Sequence, residues 1–135
     1  MAALNGKWRL VSVDNFESYL DAVGVEGESR DKALKLLTPE NNILQDITVD
    51  GDNITIVTTT PIAPIQVKAT NGEEFESRYL DGREIKTMFR VEGDTLVEDV
   101  SGPFSTHIVR AVEGGHMIMT MKSGDVTSTR RYEKV

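Results

Sequence analysis

The closing stretch STRRYEKV, residues 128–135, carries the side chains in this chain best suited to binding chemistry. Arginine offers a planar fork of N–H donors that matches a carboxylate, and a tyrosine hydroxyl adds one more. In an extended strand successive side chains alternate between faces, so Arg130 and Tyr132 share one face and Arg131 takes the other. The neighbouring segment HMIMTMK supplies the reference: Met117, Met119 and Met121 make its more apolar face, which should point inward. If Gly114 and Gly115 form a two-residue loop, Val112 pairs with Met117 and Arg110 with Met119. If Ser123 and Gly124 form the next loop, Met121 pairs with Val126, Met119 with Ser128 and Met117 with Arg130. Arg110, Arg130 and Tyr132 are therefore expected inside, and Arg131 outside.

Guanidinium groups are costly to desolvate unless paired and hydrogen-bonded. These three segments place no carboxylate on the inward face, so the expected partner is the carboxylate of a ligand held by Arg110, Arg130 and Tyr132. The alternative is pairing with inward carboxylates from other strands or with ordered water. The flexible, polarizable methionines, with Ser128, would line a cavity for an apolar tail.

Other chemistries find little support. The chain has no cysteine, and His107 and His116 fall at outward parity, so neither a nucleophile and base nor a metal cluster assembles inside. Catalysis is not expected, and no cofactor is implied. Glu73, Glu74 and Glu76 read as an exposed turn and strand edge. With 22 acidic against 15 basic residues, the net charge of -7 disfavours nucleic acid as a partner. The start MAALNGKWRL lacks the pattern of a signal peptide, and no apolar run is long enough to span a bilayer. The expected product is a cytoplasmic monomer, with nuclear access left open.

The elements that must position these residues are mostly strands. From residue 40 onward glycine-containing turn signals recur about every ten residues: DGDN at 50–53, NG at 71–72, DG at 81–82, EGD at 92–94, EGG at 113–115 and SGD at 123–125. Between them lie short segments rich in β-branched residues, Phe and Met, the pattern of an antiparallel meander that must close into a barrel or fold into a sandwich to protect its edges. Before it come a first strand, KWRLVSV, and a short helix on which Phe16, Tyr19, Leu20 and Val23 share one face. Asp14 or Asn15 is its expected N-cap and Gly24 its stop. A second helix, with Ser29 as cap, turns Ala33, Leu34, Leu36 and Leu37 to its apolar side and ends near Pro39. Two short helices, within about residues 15–37, suit the cover of one barrel end. Trp8 is expected to plug the base, its indole N–H needing an acceptor. The whole of residues 1–135 is read as one domain.

In order and spacing, GKWRLVS, NFESYLDAVGV, EEFE followed by DGREIK, and STRRYEKV with its Arg-x-Tyr motif resemble the intracellular lipid-binding proteins, the fatty-acid-binding and cellular retinoid-binding family. The resemblance implies an all-β fold, a ten-stranded antiparallel up-and-down β-barrel (a β-clam), capped by a helix-turn-helix lid. It puts Arg110, Arg130 and Tyr132 on the ligand carboxylate. Phe16, with Tyr19 and Leu20 of the first helix, would line the cavity beside Met119 and Met121, and Leu34, Ile62 and Asp81 would stand at the portal. Ile62 takes the place of a portal phenylalanine common in the family, and Pro61 and Pro64 stiffen its turn.

The expected function is a non-catalytic carrier of a long-chain fatty acid, with retinoic acid or another hydrophobic carboxylate as the alternative. Retinol fits less well, since an alcohol leaves the arginine charges uncompensated. Transient membrane contact through the lid is left open, the basic residues of the second helix being diluted by Glu26, Glu28 and Asp31. A secreted lipocalin shares only the short Gly-x-Trp match and lacks the usual disulfide and C-terminal helix.

Overall fold

The computed structural model describes residues 3–135. In chain order the elements are β1 (Gly6–Asp14), α1 (Phe16–Ala22), α2 (Gly27–Leu36), a 3-10 turn at Pro39–Asn41, β2 (Leu44–Asp50), β3 (Asn53–Thr59), β4 (Ile65–Thr70), β5 (Glu74–Arg78), β6 (Glu84–Glu92), β7 (Thr95–Ser101), β8 (Thr106–Glu113), β9 (His116–Ser123) and β10 (Val126–Lys134). All six glycine turn signals fall in loops between consecutive strands. The strands form one antiparallel sheet in the order β4-β3-β2-β1-β10-β9-β8-β7-β6-β5. β1 joins the two ends of the chain by pairing with both β2 and β10.

The sheet curls into a barrel that stays open between β4 and β5. The turn joining these strands stitches one end of the gap: the Gly72 N–H donates to Phe89 O at 2.8 Å, and Asn71 Oδ1 accepts from Val91 N at 2.9 Å. Strand alternation fills the interior. Ile47, Ile54, Ile56, Phe89, Leu96 and Ile108 are all buried, while their immediate neighbours, Val97 excepted, are exposed or half-buried. At the base Trp8 is buried and donates its indole N–H to Leu4 O at 2.9 Å, the acceptor that the sequence required.

The helices cover the other end. From Trp8, β1 continues to Asp14 and leads directly into α1, so the lid lies about 20 Å from the tryptophan at the usual strand rise of ~3.3 Å per residue. Phe16, Tyr19, Leu20 and Val23 are buried together, as their helical spacing requires. One local expectation holds in position without its capping bond, and another is corrected. Asn15 is the N-cap of α1 but makes no side-chain cap; in a left-handed conformation, φ 57°, it sends Nδ2 to Thr127 O at 2.9 Å and ties the helix to β10. Ser29 is not the cap of α2, which already starts at Gly27 behind Glu26. The cause lies upstream: Val25 is fully buried, its N–H bonded to Leu20 O at 2.9 Å, so the interhelix turn closes early and the helix begins as soon as the chain leaves it.

Ile47, on the sealed wall of the barrel, is wholly inaccessible to solvent. Denaturant unfolding should show Ile47→Val costing about 1 kcal/mol and Ile47→Ala about 2–5 kcal/mol. Equal small losses for both would mean that this wall is not closely packed.

Candidate functional site

The arginines of β8 and β10 both reach the interior. Arg110 pairs with Met119 as the Gly114–Gly115 loop required. Arg130 also faces Met119, from the other side, and Tyr132 faces Met117. Here the expected register is corrected by two residues: the loop is Gly124–Asp125, not Ser123–Gly124, so Ser123 pairs with Val126 and Ser128 with Met121. Gly124 takes a φ of +57°, a left-handed conformation that glycine adopts without steric cost, so it opens the turn rather than following it. A shift of two preserves parity, and every inward assignment survives. Arg131 is exposed, near the His116 ring.

The two guanidinium groups have different surroundings. Arg110 is paired internally: Nη1 donates to Glu98 Oε1 at 2.9 Å, and Nε reaches Gln45 Oε1 at 3.4 Å. Arg130 stands over the Phe16 ring, 4.8 Å from guanidinium carbon to ring centroid, a cation–π contact. Its Nε is buried with no hydrogen-bond partner among the described residues. Tyr132 is buried as well, and its hydroxyl meets only the soft Sδ of Met119, at 3.9 Å. Glu98 is the residue that the sequence reading missed. It lies in register with buried Phe89 on one side and buried Ile108 on the other, so it too points inward. The two-residue loop Gly93–Asp94 carried this information, since it opposes Phe89 to Glu98 in the same way that Gly114–Gly115 opposes Arg110 to Met119.

An interior cavity of about 190 Å³ opens beside this pair. β3 to β8 enclose it, with Ile56, Val67, Phe75 and Phe89 as apolar walls and Glu98 and Arg110 as the charged floor. Phe16, Tyr19, Leu20, Met117, Met119, Met121 and Ser128 do not line this space; they are buried in the packed half of the interior made by α1, β9 and β10. Two larger grooves, about 420 and 460 Å³, lie on the outside of the barrel among exposed residues such as Glu76, Lys86 and His107. Glu73, Glu74 and Glu76 are exposed along β5 and the turn before it. His107 points outward and contacts Asp99 at 2.5 Å.

Around the lid, the three expected portal residues have different surroundings. Ile62 is 74% exposed in the β3–β4 turn, with Ile65 and Leu80 also exposed. Leu34 packs partly against the core from α2. Asp81, in the β5–β6 turn, grips Arg83 at 2.7 Å. Arg83 then donates to Val23 O at 2.7 Å and stacks on Phe104, its guanidinium carbon 4.6 Å from the ring centroid. This residue, unmarked in the sequence, fastens the end of α1 to the barrel.

Under the lid, Tyr19 bonds Thr106 Oγ1 at 2.5 Å, and Tyr79 packs edge-on against Phe104. Burial pushes the phenol pKa of Tyr19 up, and pushes that of Tyr79 up further. Both phenols also sense the charges of Arg130 and Glu98, which places them in the same electrostatic neighbourhood.

Among the described residues no cluster of histidine and carboxylate side chains is arranged to hold a metal ion, and no helix is long and apolar enough to cross a membrane. The arrangement offers charged donors at the edge of an apolar, lidded space.

A family model described as the lipocalin / cytosolic fatty-acid binding protein family matches residues 5–135. The chain is 38% identical over 134 residues to the sodium/calcium exchanger regulatory protein 1 of Doryteuthis pealeii, covering 99% of this chain and 98% of that one. It is 35% identical over 134 residues to fatty acid-binding protein 5 of Homo sapiens, covering 98% and 95%. Among solved structures, the REP1-NXSQ fatty acid transporter matches with a TM-score of 0.89 at 36% identity, over 100% of this chain and 98% of that one. A Schistosoma mansoni fatty acid binding protein in complex with arachidonic acid matches with a TM-score of 0.89 at 28% identity, over 100% and 98%.

Two measurements check this geometry. Arg83→Ala should accelerate amide hydrogen exchange in α1 while β8 to β10 stay protected; unchanged exchange in α1 would mean that apolar packing alone holds the lid. Because the folded phenol pKa values are raised, Tyr19 and Tyr79 contribute stability below the unfolded value of about 10 and lose it as pH rises beyond it. An absorbance titration should therefore show these two phenols resisting ionisation above pH ~10 until the protein unfolds. Free titration of all the tyrosines at ordinary values would contradict their burial.

Proposed function

The chain belongs to the lipocalin / cytosolic fatty-acid binding protein family, and from this we propose that it is a cytoplasmic, non-catalytic carrier of one long-chain fatty acid. The carboxylate sits on Arg130 with the Tyr132 hydroxyl beside it, and Arg110 approaches from across Met119. The single observation that carries this reading is Arg130: a residue 9% exposed, its buried Nε without a partner among the described residues and its guanidinium face on Phe16. An isolated buried cation is expensive, and a ligand carboxylate supplies both the counter-charge and the missing acceptor.

The tail extends into the apolar cavity, where each buried methylene contributes about 0.8 kcal/mol. The methionines of β9, packed between the head-group residues and the core, shift rotamer to admit it. Entry runs past Ile62, Leu34 and Asp81 under the lid, and the exposed Ile62, Ile65 and Leu80 make that rim apolar. The names of relatives in this family support the fatty-acid choice, and one related structure holds arachidonic acid.

Native mass spectrometry on delipidated protein, offered equal amounts of oleate, retinoic acid, retinol and a bile acid, tests the reading. The expected result is uptake of one oleate, weakened roughly 10- to 100-fold in Arg130→Ala, the equivalent of losing one charged hydrogen bond of ~1.5–3 kcal/mol. Preference for retinoic acid would keep the carboxylate seat and replace the tail. No uptake by the unmodified protein would end the carrier reading.

A further inference from the structure

Among the described residues, three inward-facing strand positions away from solvent carry formal charge, Glu98, Arg110 and Arg130; Lys134 shares the face of Trp8 but is exposed at the base. Two guanidinium groups and one carboxylate leave the interior with a net charge of +1. Arg78 also borders the cavity, but its side chain is 70% exposed and turns to Glu84 and the Gly82 carbonyl. The Glu98 side chain is 17% exposed and that of Arg110 5%, so their contact at 2.9 Å is largely shielded from water. At that depth each unbalanced charge weighs far more than it would on the surface.

We propose that Glu98 selects the charge of the lipid head group, making the barrel a receptor for monoanions that turns away dianionic lipid phosphate monoesters. The inference rests on the carrier reading above and adds the residue that sets its specificity. A carboxylate of charge -1 on Arg130 brings the interior to neutrality. A phosphate monoester, close to -2 above its second pKa of about 6, overshoots it. Its second charge cannot settle on Arg110, because Glu98 already occupies that guanidinium and repels the newcomer. Glu98 and Arg110 form the floor of the cavity, so a head group drawn to Arg110 meets the carboxylate as well as the cation. Were Glu98 only a structural partner for Arg110, head-group preference would be indifferent to its charge.

The test is competition binding at pH 8 with oleate, oleyl phosphate and, as an uncharged control for the tail, oleyl alcohol. The unmodified protein should prefer oleate over oleyl phosphate by about tenfold or more, and Glu98→Gln should move that ratio towards the phosphate by about tenfold, with oleyl alcohol changing less than either. Because Glu98→Gln leaves Arg110 without its anion and could unfold the protein, Gln45→Glu provides a second route. It places another carboxylate against the same guanidinium, and should weaken oleate about tenfold while sparing oleyl alcohol. Equal uptake of oleate and oleyl phosphate by the unmodified protein overturns the proposal. So does an unmoved ratio in folded Glu98→Gln, or undiminished oleate binding in Gln45→Glu. Those results leave the carrier reading intact, whereas failure of the unmodified protein to take up oleate overturns both.

Discussion

Keeping guanidinium charge inside an apolar barrel is the constraint around which this molecule is arranged. Moving such a group out of water costs several kcal/mol, and the protein meets that cost differently at each arginine. Arg110 has a carboxylate at 2.9 Å and an amide oxygen at 3.4 Å, so its charge is balanced within the fold. Arg130 has the face of Phe16 and no acceptor for its Nε. An aromatic face returns about 2 kcal/mol when desolvated, less than the cost of burial, so the rest of the fold must hold Arg130 in place. β1 and β9 flank its strand, and Asn15 binds the backbone of β10 just before it.

That constraint also explains the register of the last three strands. A slip of one residue of β10 against β9 would turn Arg131 and Glu133 inward and expose Arg130 and Tyr132. A slip of two keeps the faces but changes the neighbours, and in the structure Arg110 and Arg130 face the same methionine from opposite sides. Tyr132 lies one pleat further along, opposite Leu10 and Met117. The lid completes the enclosure from the other direction. α1 contributes the Phe16 ring to Arg130 and is itself fastened by Arg83, a cation held by Asp81, a carbonyl and an aromatic face. A single helix thus links the proposed binding cation to the latch at the rim.

Much of this was legible in the chain because it rests on local rules. Period-two alternation with glycine at each reversal identifies strands and their faces, and the spacing of Phe16, Tyr19, Leu20 and Val23 identifies a helix and its buried side. Parity is robust, which is why misplacing a loop at Ser123–Gly124 moved partners but not faces. Ser29 misled because cap preference is local, whereas the start of α2 is set by the burial of Val25 against the lid. Glu98 was within reach of the same loop argument but lay outside the strands to which it was applied. Arg83 carried no signal of its latching role, since the partners it reaches across the fold, Val23 and Phe104, are remote in sequence or unpatterned.

The sequence alone determined that this protein is an antiparallel meander with two short helices that must protect its edges, that Arg110, Arg130 and Tyr132 point inward, and that neither cysteine nor histidine serves the interior. These follow from side-chain alternation, turn chemistry and composition, all properties of neighbouring residues. Only the tertiary structure decided which arginine is neutralised and which is not, where the open space lies, and what fastens the lid. Those outcomes depend on strands that curve around to face one another across the barrel, bringing Gln45 to Arg110 over 65 positions of chain and Val23 to Arg83 over 60, distances at which no local pattern carries information.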